Sequence, residues 1–395
     1  MPPPTVEPKP RLLNPAGMGQ ANRSRVLELL HQNGPSSRAQ LARALNVNRT
    51  TITTILQPLI DNQTLVEGEQ VASSPAGGKP ARPLWFNRNG KELGSVRLGA
   101  RAITAARLGM DGTVHDRGQA EIDPAQDVGA IEDVILGLAR QLFEGRPLLG
   151  VGVAVSGMVD TTTGGIIAMN LAPVLNGYPI GSVLGERLHV PVAVGHHPYV
   201  QALGDRWFGH GRRLTTFASV YTGEALGMGI IHDGRSVQGA AGAGGEYGHM
   251  VIDRQGERCT CGRQGCWETV ASVPWLRREA ARRAVPGAET VDCLRLTSEA
   301  EAGDARAADL LDLYAQNLAI GMANNEYMLG SGTYVVHGDA AAGGERMRAL
   351  LQHWLAAYEP QRGRPATVIL GGSDDEMTLL GGGGLVLATE LAIDT

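Results

Sequence analysis

The chain has 395 residues, 43% of them hydrophobic and 19% charged, which fits two or three globular domains and excludes a fibrous or largely disordered polypeptide. No apolar run is long enough to span a bilayer. The net charge of −5 conceals an asymmetry: residues 1–90 carry ten Lys+Arg against five Asp+Glu, and the other 305 carry 25 against 35. A basic front on an acidic body points to nucleic acid at the N-terminal end.

Residues 1–18 read as a disordered leader, with prolines at positions 2, 3, 4, 8, 10 and 15. The segment has no apolar core and no cleavage signature, so it does not read as a secretory signal. Ala21–Gln32 reads as a helix with Val26, Leu27, Leu29 and Leu30 on one face, stopped by Gly34-Pro35. A second helix opens at Ser37, where Ser37 and Gln40 form a capping box. After the turn Asn46-Val47-Asn48, a third helix starts with Asn48 as its N-cap. Two short helices joined by such a turn make a helix-turn-helix. The second carries Arg49, Thr50, Thr51, Thr53 and Thr54 near its start, groups suited to base edges and phosphates. Ser37, Arg38 and Asn48 flank them and join the expected DNA contacts. Pro58 is expected to close this helix early. Leu65-Val66 and the segment ending in Pro83–Phe86 read as a hairpin wing. Its Gly/Pro-rich tip carries Lys79 and Arg82 for phosphate or the minor groove.

From Glu92 onward, strands and helices alternate, so the class is α/β with antiparallel hairpins. The stretch 94–114 reads as two antiparallel strands, 148–160 as a buried strand ending in a glycine turn, 190–205 as a strand running into a helix, 217–237 as a hairpin, and 333–339 and 367–372 as strands. The expected helices are 131–143, 302–329, 347–357 and a terminal one from about Leu385. Two hairpin-led halves hint at duplication, although no clean sequence repeat is present.

Gly244–Ser272 holds His249 and three of the four cysteines, Cys259, Cys261 and Cys266, in the spacing C-x-C-x4-C. Thiolate and imidazole are the ligands Zn²⁺ prefers, and a Cys3His set closes a tetrahedral site with no open position. Cys259 and Cys261 are too close in sequence to pair comfortably as a disulfide. A structural zinc knuckle over 249–266 is therefore expected, and reduced cysteines fit a cytoplasmic protein. An ion that fixes this loop also fixes Glu246 and Glu268.

With these residues in view, the chain resembles the ROK family of sugar-responsive repressors and sugar kinases. The resemblance covers about residues 20–395. It is carried by GEYGHM and CTCGRQGCWE, and more weakly by VGVAVSGMVD, MNLAPVL, PVAVGHHPYVQALGD and LLGGGGLVLA. It implies a winged helix-turn-helix over 19–90 and, over 91–395, a two-lobed actin-like (ribonuclease H-like) ATPase fold with a sugar in the interlobe cleft. It also implies zinc on His249 and the three cysteines, sugar contacts at Asn170, Glu246, His249 and Glu268, and a homodimer or dimer of dimers.

The kinase parts depart from the family pattern. His196 and His197 stand where the family's kinases have Asn-Asp, whose Asp is the general base. The pair is retained here as candidate ligand contacts. Arg97 replaces the acid of the first phosphate turn, and Glu224 sits at the second, where it would repel a phosphate. No catalytic residue and no ATP are therefore expected. The expected function is a DNA-binding regulator, a probable repressor of carbohydrate metabolism, that senses a sugar on duplex operator DNA without phosphorylating it. The alternatives are a sugar kinase with an appended DNA-binding domain and a regulator that has lost sugar binding.

Overall fold

A computed structural model describes residues 25–69, 82–239, 244–360, 364–372 and 375–391. The chain divides into two compact units, one running through Asn87 and the other from Arg88 to Glu390.

The first unit comprises helix α1 (residues 25–33), β1 (Ser36–Ser37), α2 (Arg38–Ala44), α3 (Arg49–Asp61), β2 (Leu65–Glu67) and β3 (Pro83–Phe86). The Ser37/Gln40 capping box forms: Ser37 N–H donates to Gln40 Oε1 at 2.8 Å and Gln40 N–H to Ser37 Oγ at 3.3 Å. Asn46 turns the chain at φ 52°, a left-handed conformation that asparagine tolerates. Asn48 caps α3 through Thr51 N–H at 2.8 Å. Val26, Leu27, Leu30, Leu41, Ile52, Leu56, Leu59, Leu65 and Leu84 are all buried in one small core. The strands β2 and β3 pair antiparallel, with Val66 opposite Trp85, as a hairpin wing requires. The tip at 70–81, with Lys79, lies outside the described residues.

Pro58 does not close α3, which continues to Asp61. The proline is exposed, while Leu56 and Leu59 on either side of it are buried, so tertiary packing holds the turn that the missing N–H weakens. The Asn62 N–H still donates to the Pro58 carbonyl at 3.1 Å.

The second unit is two lobes of one plan. In the first lobe, β4 (Glu92–Leu98), β5 (Ala102–Leu108) and β6 (Val114–Glu121) form an antiparallel meander. The strands β7 (Leu148–Val155) and β10 (Val192–His196) then add in parallel, giving the order β10-β7-β4-β5-β6. The helices α4 (Val128–Phe143) and α5 (Ile180–Leu188) cover it, and β8 (Met158–Asp160) and β9 (Gly165–Ala168) form a small ribbon. Helix α6 (His197–Trp207) leads into the second lobe.

There β11 (Phe217–Thr222), β12 (Leu226–His232) and β13 (Arg235–Ser236) are the meander, and β14 (Thr333–Gly338) and β15 (Thr367–Leu370) add in parallel. The order β13-β12-β11-β14-β15 repeats the first sheet step for step. The duplication that the hairpins hinted at is thus present in the topology. Helices α7 (Val273–Arg282), α8 (Cys293–Glu301), α9 (Ala305–Met328), α10 (Asp339–Ala342) and α11 (Gly344–Tyr358) complete the lobe. The segments α5, α7 and α8 had not been read as helices from the sequence.

Helix α12 spans Glu376–Glu390, so it begins nine residues before the expected start at Leu385 and contains Gly381–Gly384. Four glycines cost a helix about 1 kcal/mol each relative to alanine. Contact geometry explains their presence. A methyl group on Gly381 would strike the Val200 carbonyl of α6, and one on Gly382 the Ser95 hydroxyl of β4. The helix lies so close to the sheet and to α6 that only glycine fits, and the burial gained offsets the poor propensity.

Candidate functional site

The stretch from Gly244 to Ser272 folds as a knuckle. A short helical turn at Tyr247–His249 delivers His249, and bridges pair Val251 with Cys266 and Arg258 with Gln264. Gly262 and Gly265 sit at φ 85° and 74°, where a side chain is strained, and a Cβ on Gly265 would also hit the Asp253 carbonyl. The knuckle is anchored twice. Trp267 is fully buried and donates its indole N–H to the Asn317 carbonyl of α9 at 2.8 Å. Glu257 accepts from Arg278 at 2.8 Å and Arg282 at 2.6 Å, both on α7.

All four cysteines are free thiols, and Cys293 is buried apart from the knuckle at the start of α8. The ligand atoms of His249, Cys259, Cys261 and Cys266 lie within 4.8 Å of one another. Cys259 Sγ is 3.4 Å from His249 Nδ1, and Cys261 Sγ is 3.7 Å from Cys266 Sγ. A tetrahedral ion with bonds of about 2.3 Å to sulfur and about 2.0–2.1 Å to nitrogen requires edges of roughly 3.5–3.8 Å. These two separations are close to edges of such a tetrahedron, and the group could hold a metal ion. Burial, together with the neighbouring thiols, raises Cys259 and pushes Cys266 up to about 12. A cation is what would make such thiols thiolates at neutral pH.

His249 faces two ways. Its Nδ1 points at the thiols, while Nε2 faces Glu246 Oε2 at 3.9 Å, beyond hydrogen-bond range. Glu246 Oε1 lies 3.6 Å from His196 Nδ1, at the end of β10 in the other lobe. Glu268 accepts the Leu226 backbone N–H at 3.3 Å. The structure thus brings together Glu246, His249, Glu268 and His196. Beside them is a cleft lined by Thr161, His196, Tyr199, Met228, Gly229, Val237, Gln238, Gly244 and Gly245. Thr161, Tyr199, Met228, Val237 and Gln238 had not been read as site residues, since no motif marks them. Only the fold of β8, α6 and the β12–β13 hairpin collects them.

Asn170 is exposed after β9 and, like Glu246, His249 and Glu268, is not among the residues that line the cleft. His197 is 3% exposed, bonds Thr378 of α12 (Nε2 to Oγ1, 2.8 Å) and meets Tyr221 edge-on. Burial holds its imidazole well below the usual histidine range, helped by Arg97, His196 and His337. The folded state keeps His197 neutral, while the unfolded chain takes up a proton below about pH 6.5. Stability is therefore full above that pH and falls on acidification. On acidification through that pH, melting temperatures should fall less steeply for His197→Gln, and an equal slope would contradict the assignment.

The two positions compared with phosphate turns both carry ion pairs. Arg97 pairs with Asp375 at 3.1 Å, and its guanidinium also reaches Tyr221. Glu224 does not stand as a free repelling charge, as the sequence suggested, because Arg277 pairs with it at 2.9 Å.

On the DNA side, Arg49, Thr50, Thr53 and Thr54 are exposed along α3, and Arg82 is exposed before β3. Thr51 donates its hydroxyl to Asn48 Oδ1 at 2.9 Å, so both side chains serve the cap. Ser37 is buried in its own cap, and Arg38 is paired with Glu67 of the wing. Among the described residues, no helix is long and apolar enough to cross a membrane.

Comparison with known proteins agrees with this construction. A winged helix-turn-helix DNA-binding profile matches residues 20–63. The xylose repressor of Caldicellulosiruptor bescii is 28% identical over 260 residues, 64% of this chain and 64% of that repressor's length. The N-acetylglucosamine repressor of Escherichia coli O157:H7 is 28% identical over 310 residues, 76% of this chain and 75% of that one. A ROK family transcriptional regulator, a homologue of the E. coli MLC protein, superposes with TM-score 0.78 at 25% identity, covering 95% of this chain and 98% of that one. A ROK family glucokinase from Streptomyces griseus, in complex with glucose and AMPPNP, shares the fold at TM-score 0.66 and 24% identity, over 74% of this chain and 98% of its own. The ROK family profile matches residues 93–389, three quarters of the sequence, and the chain belongs to the ROK family.

Proposed function

We propose that the chain is a DNA-binding transcriptional regulator, acting as a repressor, whose ROK unit binds a monosaccharide and does not phosphorylate it. One observation carries this reading. The same chain joins a winged helix to a kinase-like unit in which Arg97, at the place of the acid in the family's first phosphate turn, pairs internally with Asp375, and in which the histidine at 197 is sealed in the core. A nucleotide phosphate would have to displace that ion pair. Glu246 and Glu268 suit a sugar, because its hydroxyls donate and a carboxylate accepts two at once. His196 and Gln238 supply further polar groups at the cleft wall.

His249, Cys259, Cys261 and Cys266 would hold Zn²⁺. The ion would be structural, with four protein ligands and no position for water or substrate. Its place in the mechanism is to fix the loop that carries Glu246 and Glu268, so that sugar binding and loop geometry are coupled. Closure of the lobes on a sugar would alter the spacing of two winged helices in a dimer, and half-site spacing is a geometric demand.

The reading is tested by a monosaccharide screen of the full chain with Mg-ATP, following thermal shift and ADP together. One sugar should raise the melting temperature with no ADP formed above the sugar-free rate. Steady ADP formation with any hexose would replace the reading by a kinase. Silence from every sugar would favour a regulator that no longer binds one.

A further inference from the structure

The face of α3 that would enter DNA has a property that the residue types alone do not give. Ile52, Ile55, Leu56 and Leu59 are buried, so residues 49, 50, 53, 54 and 57 are left on the exposed side. On that side most hydrogen-bonding groups are already used. Thr53 donates its hydroxyl to the Arg49 carbonyl at 2.9 Å, and Thr54 donates to the Thr50 carbonyl at 3.1 Å. A threonine hydroxyl has one hydrogen, so neither can also donate to a base. With Oγ1 turned back to the helix, the outward substituent at each Cβ is the methyl group. Gln57 donates one amide hydrogen to Asp61 Oδ1 at 2.8 Å, which ties its head group to the last turn of the helix. No acidic residue lies in the first turn to repel phosphates. After Arg49 and Thr50, the helix therefore presents two adjacent threonines whose hydroxyl hydrogens are committed to the helix and whose methyl groups remain for an apolar contact.

The only methyl group on a standard base edge is the 5-methyl of thymine, and it lies in the major groove. We propose that Thr53 and Thr54 read thymine methyl groups, so that each operator half-site carries thymines at the positions under the second turn of α3. The proposal rests on the DNA-binding reading of the first unit and adds the class of base that it selects.

Replacing deoxythymidine by deoxyuridine removes that methyl group and leaves base pairing intact, which allows a direct test. The full-length protein selects its site from a random duplex pool. That site is then remade with deoxyuridine in the half-sites, and binding is followed by anisotropy at one fixed salt concentration. Affinity should fall about fourfold for each methyl lost. The variant Thr53→Val, which keeps the methyl, should bind the thymine duplex as the wild type does. The variant Thr53→Ser, which loses it, should bind that duplex more weakly and gain nothing from thymine over uracil at the position it faces. Circular dichroism and melting confirm that both variants are folded. Equal affinity for the thymine and uracil duplexes would overturn the proposal while leaving DNA binding intact. So would a Thr53→Ser penalty of the same size on both. Failure to select any duplex would instead sink the DNA-binding reading and this proposal with it.

Discussion

Replacing Cys266 with serine should strip the metal from the knuckle and lower the melting temperature of the ROK unit by about 6–12 °C. The expectation follows from the site's build. Cys266 Sγ lies 3.7 Å from Cys261 Sγ, and the four ligand atoms lie within 4.8 Å of one another, so no single ligand is peripheral. Structural zinc in small fingers binds with an apparent ~10–16 kcal/mol. Most of the unit folds around its own cores, and only part of that energy is coupled to melting. A share of roughly 3 kcal/mol, at about 2–4 °C per kcal/mol for a unit of this size, gives the stated range. Elemental analysis should find one equivalent of zinc in the wild type and almost none in Cys266→Ser. Cys293→Ser should retain it, because Cys293 lies outside the knuckle. Unchanged metal content and melting temperature in Cys266→Ser would refute the zinc assignment.

The second large effect is expected at a residue to which the sequence assigned no role. Asp205 of α6 is fully buried. Its Oδ2 accepts the Ser219 hydroxyl at 2.6 Å and pairs with His337 Nε2 at 2.8 Å. His337 Nδ1 accepts the Gly372 N–H at 3.2 Å, which leaves Nε2 to carry the proton and donate to Asp205. Gln201 extends the network by donating to Ser219 Oγ at 2.9 Å. These bonds tie α6 to β11 and β14 inside the second lobe. Asp205→Ala would leave two buried donors without an acceptor. Breaking a buried pair this way costs roughly 3–5 kcal/mol, or about 6–20 °C in melting temperature. Asp205→Asn keeps one acceptor oxygen and should lose less than half as much. Thermal melts of the two variants check this. A loss under ~1 kcal/mol for the alanine variant would mean that the network is not holding the lobe.

What the sequence revealed and what it concealed follow a physical division. The knuckle was legible because its ligands lie within one loop, where spacing alone constrains geometry. The winged helix was legible because Ser37, Asn48 and the buried leucines are local signals of caps and periodicity. The parallel strands were legible as apolar runs such as 148–155. Three features were not. Helix α12 is hidden by Gly381–Gly384, whose low propensity is overridden by contacts with Val200 and Ser95 from distant elements. The Arg97–Asp375 pair joins residues nearly three hundred positions apart, so position 97 read as a lost acid and not as a filled site. His197 read as a ligand contact because a motif aligned it there, and only packing against Thr378 and Tyr221 turns it inward. Local chemistry thus picked out the His/Cys group that could hold a metal ion and the winged helix-turn-helix, while tertiary contacts decided which residues border the cleft.

On the proposed reading, sugar occupancy of the ROK cleft controls DNA binding by the winged helix. The decisive measurement is anisotropy of a labelled, protein-selected duplex titrated with the full chain in the presence of each of a panel of monosaccharides. One monosaccharide should shift the binding midpoint at least about tenfold, a coupling of ~1.4 kcal/mol, and Glu246→Gln should abolish the shift while binding the duplex normally. Superimposable isotherms with and without every sugar would contradict it.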